Sequence, residues 1–349
     1  MISDLEVSSK LQDAWQGRGF LATALLPLAA VFALLVALRR ALYRFGVLPQ
    51  RHMTVPVVVI GNITVGGSGK TPLTLWLAQA LQQRGWHPGI ISRGHGGDLR
   101  SRQPLEVHAN SEAGQIGDEP LLLKRRSGLP LFVGYDRAAA ARALLAAHPE
   151  CNLILSDDGL QHYGLARDVE IAVVDKRGLM NGWLLPAGPL REPESRLQRV
   201  DGVVFNGPAS VSVGDVAMFH MELAGSIFHS LNEHSQTCEA SSLEDLKLAA
   251  VAGIGVPQRF FDHLAKLGLR FSAHPFPDHH RYLASELAAI EADALLMTEK
   301  DAVKCSGLVH RPVWVMPVTA QVTPTQGGFD LVTHVEQCIM EKPHGRPPA

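Results

Sequence analysis

Gly61-Asn62-Ile63-Thr64-Val65-Gly66-Gly67-Ser68-Gly69-Lys70-Thr71-Pro72 lies between an apolar run, Val57 to Ile60, that reads as a strand and a segment, Leu73 to Leu81, that reads as a helix. A polyphosphate needs several converging N–H donors, and a glycine-rich backbone lets main-chain amides approach closely and take positive φ. The helix that follows adds its N-terminal dipole. In such a loop Thr64, Val65, Gly66, Gly67, Ser68 and Gly69 form the cradle, Lys70 reaches the β- and γ-phosphates, and the Thr71 hydroxyl is a ligand for Mg²⁺. Pro72 fits the first helical turn, where its missing N–H costs nothing. Thr64 stands at the first glycine position of the general G-x-x-x-x-G-K-[ST] pattern, a departure that the strand before the loop and the helix after it offset.

Outward from this loop, short apolar runs alternate with helical stretches, which predicts an α/β fold with a mostly parallel sheet. We expect a P-loop NTPase-like lobe over residues 51–170. A Gly/Pro-rich loop around residues 178–193 predicts a hinge between about residues 165 and 195, with a smaller α/β lobe over residues 171–325. Residues 326–349 form a C-terminal segment whose end, after Lys342, is expected to be disordered.

Phe20 to Leu38 run for 19 positions without a charge. As a helix this stretch covers about 28 Å, close to the hydrocarbon thickness of a bilayer. Residues 1–50 are therefore read as a membrane-associating helical segment belonging to the first lobe. Arg39, Arg40, Arg44 and Arg51 follow it and place the phosphate loop on the cytoplasmic side. Pro27 and the amphipathic continuation through Leu42, Tyr43 and Phe45 leave open whether the run spans the bilayer or lies in one leaflet.

The 349 residues are 46% hydrophobic and 19% charged, enough for two domains with cores of their own. A formal net charge of −2 argues against a general nucleic-acid binder. The four cysteines are far apart with no C-x-x-C pair, and the 16 histidines show no metal-ligand spacing. No feature calls for an obligatory protein partner.

A nucleotide loop needs a carboxylate for its metal, and an apolar strand ending in Asp is where such folds place it. Leu153-Ile154-Leu155 leads into Asp157-Asp158-Gly159-Leu160-Gln161-His162, denser in polar groups than a helix cap requires. Gly117-Asp118-Glu119-Pro120 presents two carboxylates in a turn before an apolar helix, and transfer of a phosphoryl group to a hydroxyl benefits from a carboxylate that takes the proton. His279 lies in Phe276-Pro277-Asp278-His279-His280, where Asp278 could orient the imidazole. Arg93 and His95 follow the second strand, and Arg137 and Arg191 are further candidates for an anion clamp. Thr298-Glu299-Lys300-Asp301 is a helix cap with a possible contact role.

These motifs in this order, together with Ser92-Arg93-Gly94 and Pro186-Ala187-Gly188-Pro189-Leu190-Arg191-Glu192, resemble the tetraacyldisaccharide 4′-kinase family over nearly the whole chain. The resemblance implies ATP- and Mg²⁺-dependent phosphorylation of the 4′-hydroxyl of a tetraacylated glucosamine disaccharide 1-phosphate, a lipid A precursor, at the cytoplasmic face of the bacterial inner membrane. It implies two α/β lobes that close over nucleotide. It also makes Asp118 the base, with His279 pairing to it and Lys70 stabilising the transferring group. Thr71 with Asp157 or Asp158 then organises Mg²⁺, and Glu119 and Gln161 lie nearby. The family tends to carry a hydroxyl residue at the position of Thr64, whereas His95 stands where a tyrosine is more usual. The alternative of another class is a P-loop NTPase that switches a metal or protein partner.

Overall fold

The computed structural model describes residues 11, 13–98, 103–233, 235–325 and 328–342. The tail after Lys342 lies outside the described residues.

Two sheets organise the chain. The first has nine strands in the order β15-β8-β7-β6-β1-β5-β2-β4-β3. Its members are β1 (Val57–Gly61), β2 (Pro88–Ser92), β3 (Leu105–Glu106), β4 (Leu131–Val133), β5 (Leu153–Asp157), β6 (Val169–Asp175), β7 (Gly202–Asn206), β8 (Ala217–Ala224) and β15 (Thr319–Pro324). All neighbours from β8 to β4 run parallel, and antiparallel β15 and β3 close the edges. The central strands are apolar on both faces, as a parallel sheet covered on two sides requires: every residue of β1, β2, β5 and β6 is buried.

The second sheet has the order β10-β9-β14-β13-β11-β12. It is built from β9 (Ile227–Ser230), β10 (Thr237–Glu239), β11 (Leu248–Ala252), β12 (Phe271–Pro275), β13 (Ala294–Thr298) and β14 (Val313–Met316). The chain therefore crosses between sheets at residues 225–226 and 317–318. The junction read from the sequence at residues 165–195 falls inside the first sheet, because β6, β7 and β8 extend that sheet outward from β1. At the crossing, a Cβ on Gly225 would stand 2.3 Å from the Pro317 carbonyl oxygen, so only glycine lets the two passing segments lie side by side.

The helices that position the site are α1 (Leu26–Arg44), α2 (Lys70–Gln83), α3 (Asp118–Ser127), α4 (Arg137–Ala147), α5 (Pro257–Lys266), α6 (Glu299–Cys305) and α7 (Leu331–Glu341). Helix α2 buries Leu73, Leu77, Ala78 and Leu81 against one face of the large sheet, and α7 joins the same core through Leu331 and Val335. Helix α4 buries Ala140, Ala141 and Leu144 against the other face. The apolar run Phe20 to Leu38 is interrupted at Leu25, between a short helix Phe20–Ala24 and α1, and Pro27 sits in the first turn of α1, where the fixed φ of proline is favoured. Apart from Ala29, no residue of α1 is buried. The body grips this helix at its C-terminal end, where the Arg39 guanidinium lies over the Tyr163 ring at 6.0 Å and the Tyr43 ring meets Tyr163 at 5.9 Å, tilted by 47°.

Candidate active site

The loop after β1 leads directly into α2, with Gly69 in the left-handed region at φ 99° just before the first helical residue, Lys70. Strand β5 lies parallel to β1 with Ile60 opposite Asp157, so the register places the Asp157-Asp158 pair beside the mouth of the loop. The Lys70 ammonium stands 3.4 Å from Asn62 Oδ1 and 3.6 Å from Asp158 Oδ1. Gln161 Nε2 donates to the Asn62 carbonyl at 3.0 Å, and Arg191 Nη1 donates to both Asp158 oxygens at 3.3 Å. Thr71 lies in the first turn of α2, and Thr64 Oγ1 accepts from Asn62 Nδ2 at 3.4 Å.

The two aspartates of the doublet differ in charge state. Burial pushes the Asp157 carboxyl up to about 7, and the nearby Glu119 and Asp158 carboxylates add to the shift. Burial also opposes ionisation of Asp158, yet Lys70 and Arg191 outweigh it and hold that carboxyl down at about 2. A folded-state pKa above the unfolded value of ~3.9 means that the native state binds the proton more tightly, so stability falls as pH rises from about 4 to about 7. Asp157→Asn removes this penalty and keeps an acceptor for the Thr74 hydroxyl, which donates to Asp157 Oδ1 at 3.2 Å. In nucleotide-free, magnesium-free protein at pH 8 the substitution is expected to raise the melting temperature by about 2–6 °C, an advantage that shrinks towards pH 4. A variant no more stable than the parent at pH 8 would contradict this assignment.

Asp118 and Glu119 occupy the first turn of α3 rather than a turn ahead of it. Acidic side chains are favoured there by the helix dipole, and Pro120 tolerates the unbonded first turn. Asp118 is 3% exposed. Across the gap between the sheets, His279 Nδ1 donates to its two oxygens at 3.0 and 3.1 Å. Burial opposes the Asp118 charge, but the bond from His279 and the Lys300 and Lys304 ammonium groups hold its carboxyl below the ordinary range. The same bond raises the His279 pKa above its usual value. The imidazole is oriented by Asp118, whereas Asp278 Oδ1 receives the backbone N–H of His279 at 3.0 Å, a bond that holds the residue at φ 59°.

Lys300, which the sequence offers only within a helix-cap motif, binds Glu119 Oε1 at 3.1 Å, Asp278 Oδ1 at 3.0 Å and His279 Nε2 at 3.4 Å. With Arg126 to Glu299 at 2.6 Å and Arg259 to Asp175 at 2.7 Å, it makes up a set of ion pairs joining the two sheets. The remaining sequence candidates divide. Arg93 and His95 line the cleft, and the His95 ring meets His279 edge-on at 5.1 Å. Arg137 is 2% exposed and holds the backbone carbonyls of Gly134 at 2.8 Å and Asp157 at 3.4 Å, so it shapes the end of β5 instead of presenting its fork to solvent.

The loop, Asp157, Asp158, Glu119, Arg191, His279 and Lys300 all face one cleft of about 1040 Å³ between the sheets. Its volume suits a nucleotide, and Pro72, Leu75 and Leu122 of the first sheet's helices face Phe260, Met316 and Val318 of the second across it.

A family model described as tetraacyldisaccharide-1-P 4′-kinase matches residues 21–335. The chain is 52% identical over 340 residues to the tetraacyldisaccharide 4′-kinase of Azoarcus sp. (strain BH72), covering 96% of each chain. It is also 52% identical over 325 residues to that of Dechloromonas aromatica (strain RCB), covering 92% of each. Among solved structures it is similar to the "apo" form of LpxK from Aquifex aeolicus in complex with ATP, with a TM-score of 0.75 and 27% identity over 92% of this chain and all of that one. The glycine-rich loop, the aspartate doublet and the carboxylate–imidazole pair thus sit in a chain that matches these kinases almost end to end, and it belongs to the tetraacyldisaccharide-1-P 4′-kinase family.

Proposed function

We propose that this protein transfers the γ-phosphoryl group of ATP to the 4′-hydroxyl of a tetraacylated glucosamine disaccharide 1-phosphate, with Asp118 as the base. The observation that carries the reading is the contact between Asp118 at the start of α3 and His279 of the second lobe, at 3.0 Å: His279 lines the cleft that the phosphate loop opens into, and both residues line a smaller pocket beside it. Phosphoryl transfer asks a protein mainly to position the reactants and neutralise charge. The N–H groups of the loop and the Lys70 ammonium hold the triphosphate and stabilise the charge on the transferring group. Asp118, kept ionised, accepts the acceptor's hydroxyl proton, and His279 fixes the orientation of its carboxylate. Arg93 and Arg191, on the cleft wall, supply donors for anionic groups.

Among the described residues no group of three or more His, Cys, Asp or Glu side chains forms a ready metal cage. Magnesium rarely uses one, taking one or two carboxylates alongside substrate phosphates and water. The donor set fits: the crowding of Asp157, Asp158 and Glu119 leaves negative charge on the cleft wall, where Asp157 already resists ionisation. Thr71 with Asp157 or Asp158 would hold Mg²⁺, with Glu119 and Gln161 beside them. When bound, the ion neutralises charge on the β- and γ-phosphates.

The lipid acceptor, and the apolar helix α1 with Arg39, Arg40 and Arg44 at its C-terminal end, support a reaction at the cytoplasmic face of the bacterial inner membrane. The test is transfer of labelled γ-phosphate to the disaccharide lipid in mixed micelles. ATP hydrolysis that proceeds equally without the lipid and rises with a protein or metal partner would instead favour an NTPase switch. Lys70→Met is expected to lower turnover about 100-fold, because one preorganised donor at a developing charge is worth that much. Turnover within threefold of the parent would remove Lys70 from this role.

A further inference from the structure

Three consecutive carbonyls of the phosphate loop are held by side chains, one from Asn62 at the loop's start and two from the ends of neighbouring strands. The Gly66 carbonyl accepts from Asn62 Nδ2 at 3.4 Å, the Gly67 carbonyl from Arg177 Nη2 at 3.2 Å, and the Ser68 carbonyl from Asn206 Nδ2 at 3.0 Å. In a planar trans peptide the C=O and the next N–H point in opposite directions. Tying those three carbonyls back therefore turns the N–H groups of Gly67, Ser68 and Gly69 the other way, into the cleft these residues line.

The anchors also account for two of the glycines. A Cβ on Gly66 would stand 3.2 Å from Arg177 Nη1, and one on Gly69 would stand 2.6 Å from Asn206 Nδ2. Both residues have positive φ, 92° and 99°, so the backbone turn and the close approach of its anchors impose the same residue type.

Asp175, at the end of β6 and 3% exposed on its side chain, extends the arrangement across the molecule. It receives Arg177 Nε at 2.9 Å and, from helix α5 of the second sheet, Arg259 Nη2 at 2.7 Å. A buried carboxylate shared by two guanidinium groups fixes both forks in place. Arg259 thereby ties the second sheet to the brace behind the loop.

We infer that Asn62, Arg177 and Asn206 are positioning residues that set the peptide planes of the phosphate loop before nucleotide arrives, and that Arg259, through Asp175, makes this setting depend on closure of the second sheet. The inference rests on the loop being the ATP cradle, not on the identity of the acceptor. Preset donors avoid the ordering cost that a slack loop would incur on binding.

The experiment measures ADP affinity by calorimetry with Mg²⁺ present, and KM for ATP and kcat with the lipid acceptor, in Arg177→Met, Arg177→Lys, Asn206→Leu and Arg259→Met proteins. Arg177→Met and Asn206→Leu are each expected to weaken ADP binding and raise KM for ATP about tenfold, the loss of one hydrogen bond from a charged or buried donor, with kcat changed less. The apo melting temperature should move by no more than about 2 °C. Arg177→Lys, which can still donate to the Gly67 carbonyl, restores part of the affinity. Arg259→Met weakens binding in the parent but adds nothing in the Arg177→Met background. Parent-like ADP affinity in both Arg177→Met and Asn206→Leu overturns the brace. Two anchors from separate parts of the chain, Arg177 after β6 and Asn206 at the end of β7, keep the test decisive even where one substitution impairs folding. A parent protein that binds ADP but does not phosphorylate the lipid would overturn the kinase reading while leaving the brace standing, and one that binds no ADP would overturn both.

Discussion

Replacing Asp118 by alanine is expected to lower kcat about 10³-fold while leaving ATP affinity nearly unchanged. A positioned general base contributes about 10²–10⁴-fold, and the carboxylates of Glu119, Asp158 and Asp157 are each engaged or resist ionisation. Glu119, its neighbour, is engaged by Lys300 at 3.1 Å. Asp158 is bound by Lys70 and Arg191. Asp157 is buried and resists ionisation. The alanine variant also strips a partner from His279 and from Lys304, whose ammonium lies 3.7 Å from Asp118 Oδ2, and some loss of stability accompanies it. Asp118→Asn separates the two effects, since the amide oxygen still accepts from His279 while the basic group is gone. The asparagine variant should show the same fall in kcat with a melting temperature close to the parent's, and calorimetry with ADP should report unchanged affinity for both. Turnover above a tenth of the parent's in Asp118→Asn would remove Asp118 from the role of base. His279→Gln, which keeps a donor beside the carboxylate, is expected to lose less.

What could be read from the sequence follows the distance over which each feature is encoded. The β1–loop–α2 unit is local: an apolar strand, glycines where φ turns positive and a helix that starts at Lys70 stand within 27 residues. The Asp157-Asp158 pair is legible for the same reason, as the polar end of a buried strand. Asp118 and His279 are 161 positions apart. Each has a local reading as a cap or a loop residue, and only the joint order of motifs pairs them. Arg177 and Asn206 were not legible at all, because their closeness to the loop depends on β6 and β7 lying in order beside β1. The chain changes sheets at residues 225–226 and 317–318 rather than at the Gly/Pro-rich stretch for a related reason. Glycine and proline in residues 178–193 look like a linker, but Ala187, Leu190 and Glu192 are buried, and the segment is a cover over the large sheet. Strands β8 and β15, which carry the chain across that sheet's edge, alternate too weakly in burial to be recognised by pattern.

The second large effect is expected at α1. Leu28, Val31, Leu34, Leu35 and Leu38 are between 52% and 68% exposed, at helical spacings that in a soluble protein would cover a core. Only 6% of the most apolar window of this 19-residue helix is buried, and its C-terminal end carries Arg39, Arg40 and Arg44. An apolar surface of that length with basic residues at one end suits a bilayer, into which each side chain transfers with a gain of about 1.5–3 kcal/mol when fully buried. Exchanging leucine for aspartate in an apolar helix centre costs about 3–4 kcal/mol per site on insertion scales. The pair Leu34→Asp and Leu38→Asp is therefore expected to lower the partition coefficient onto vesicles of phosphatidylethanolamine and phosphatidylglycerol at least about 10³-fold. ADP affinity should stay at the parent value, because neither side chain lies on the nucleotide cleft. Turnover of a lipid acceptor presented in vesicles should fall with the partition coefficient, while turnover of an acceptor dispersed in detergent falls far less, since meeting on a shared surface no longer limits the encounter. Cosedimentation of the double variant with vesicles at the parent level would mean that α1 covers some other surface and that the protein meets its acceptor without inserting this helix.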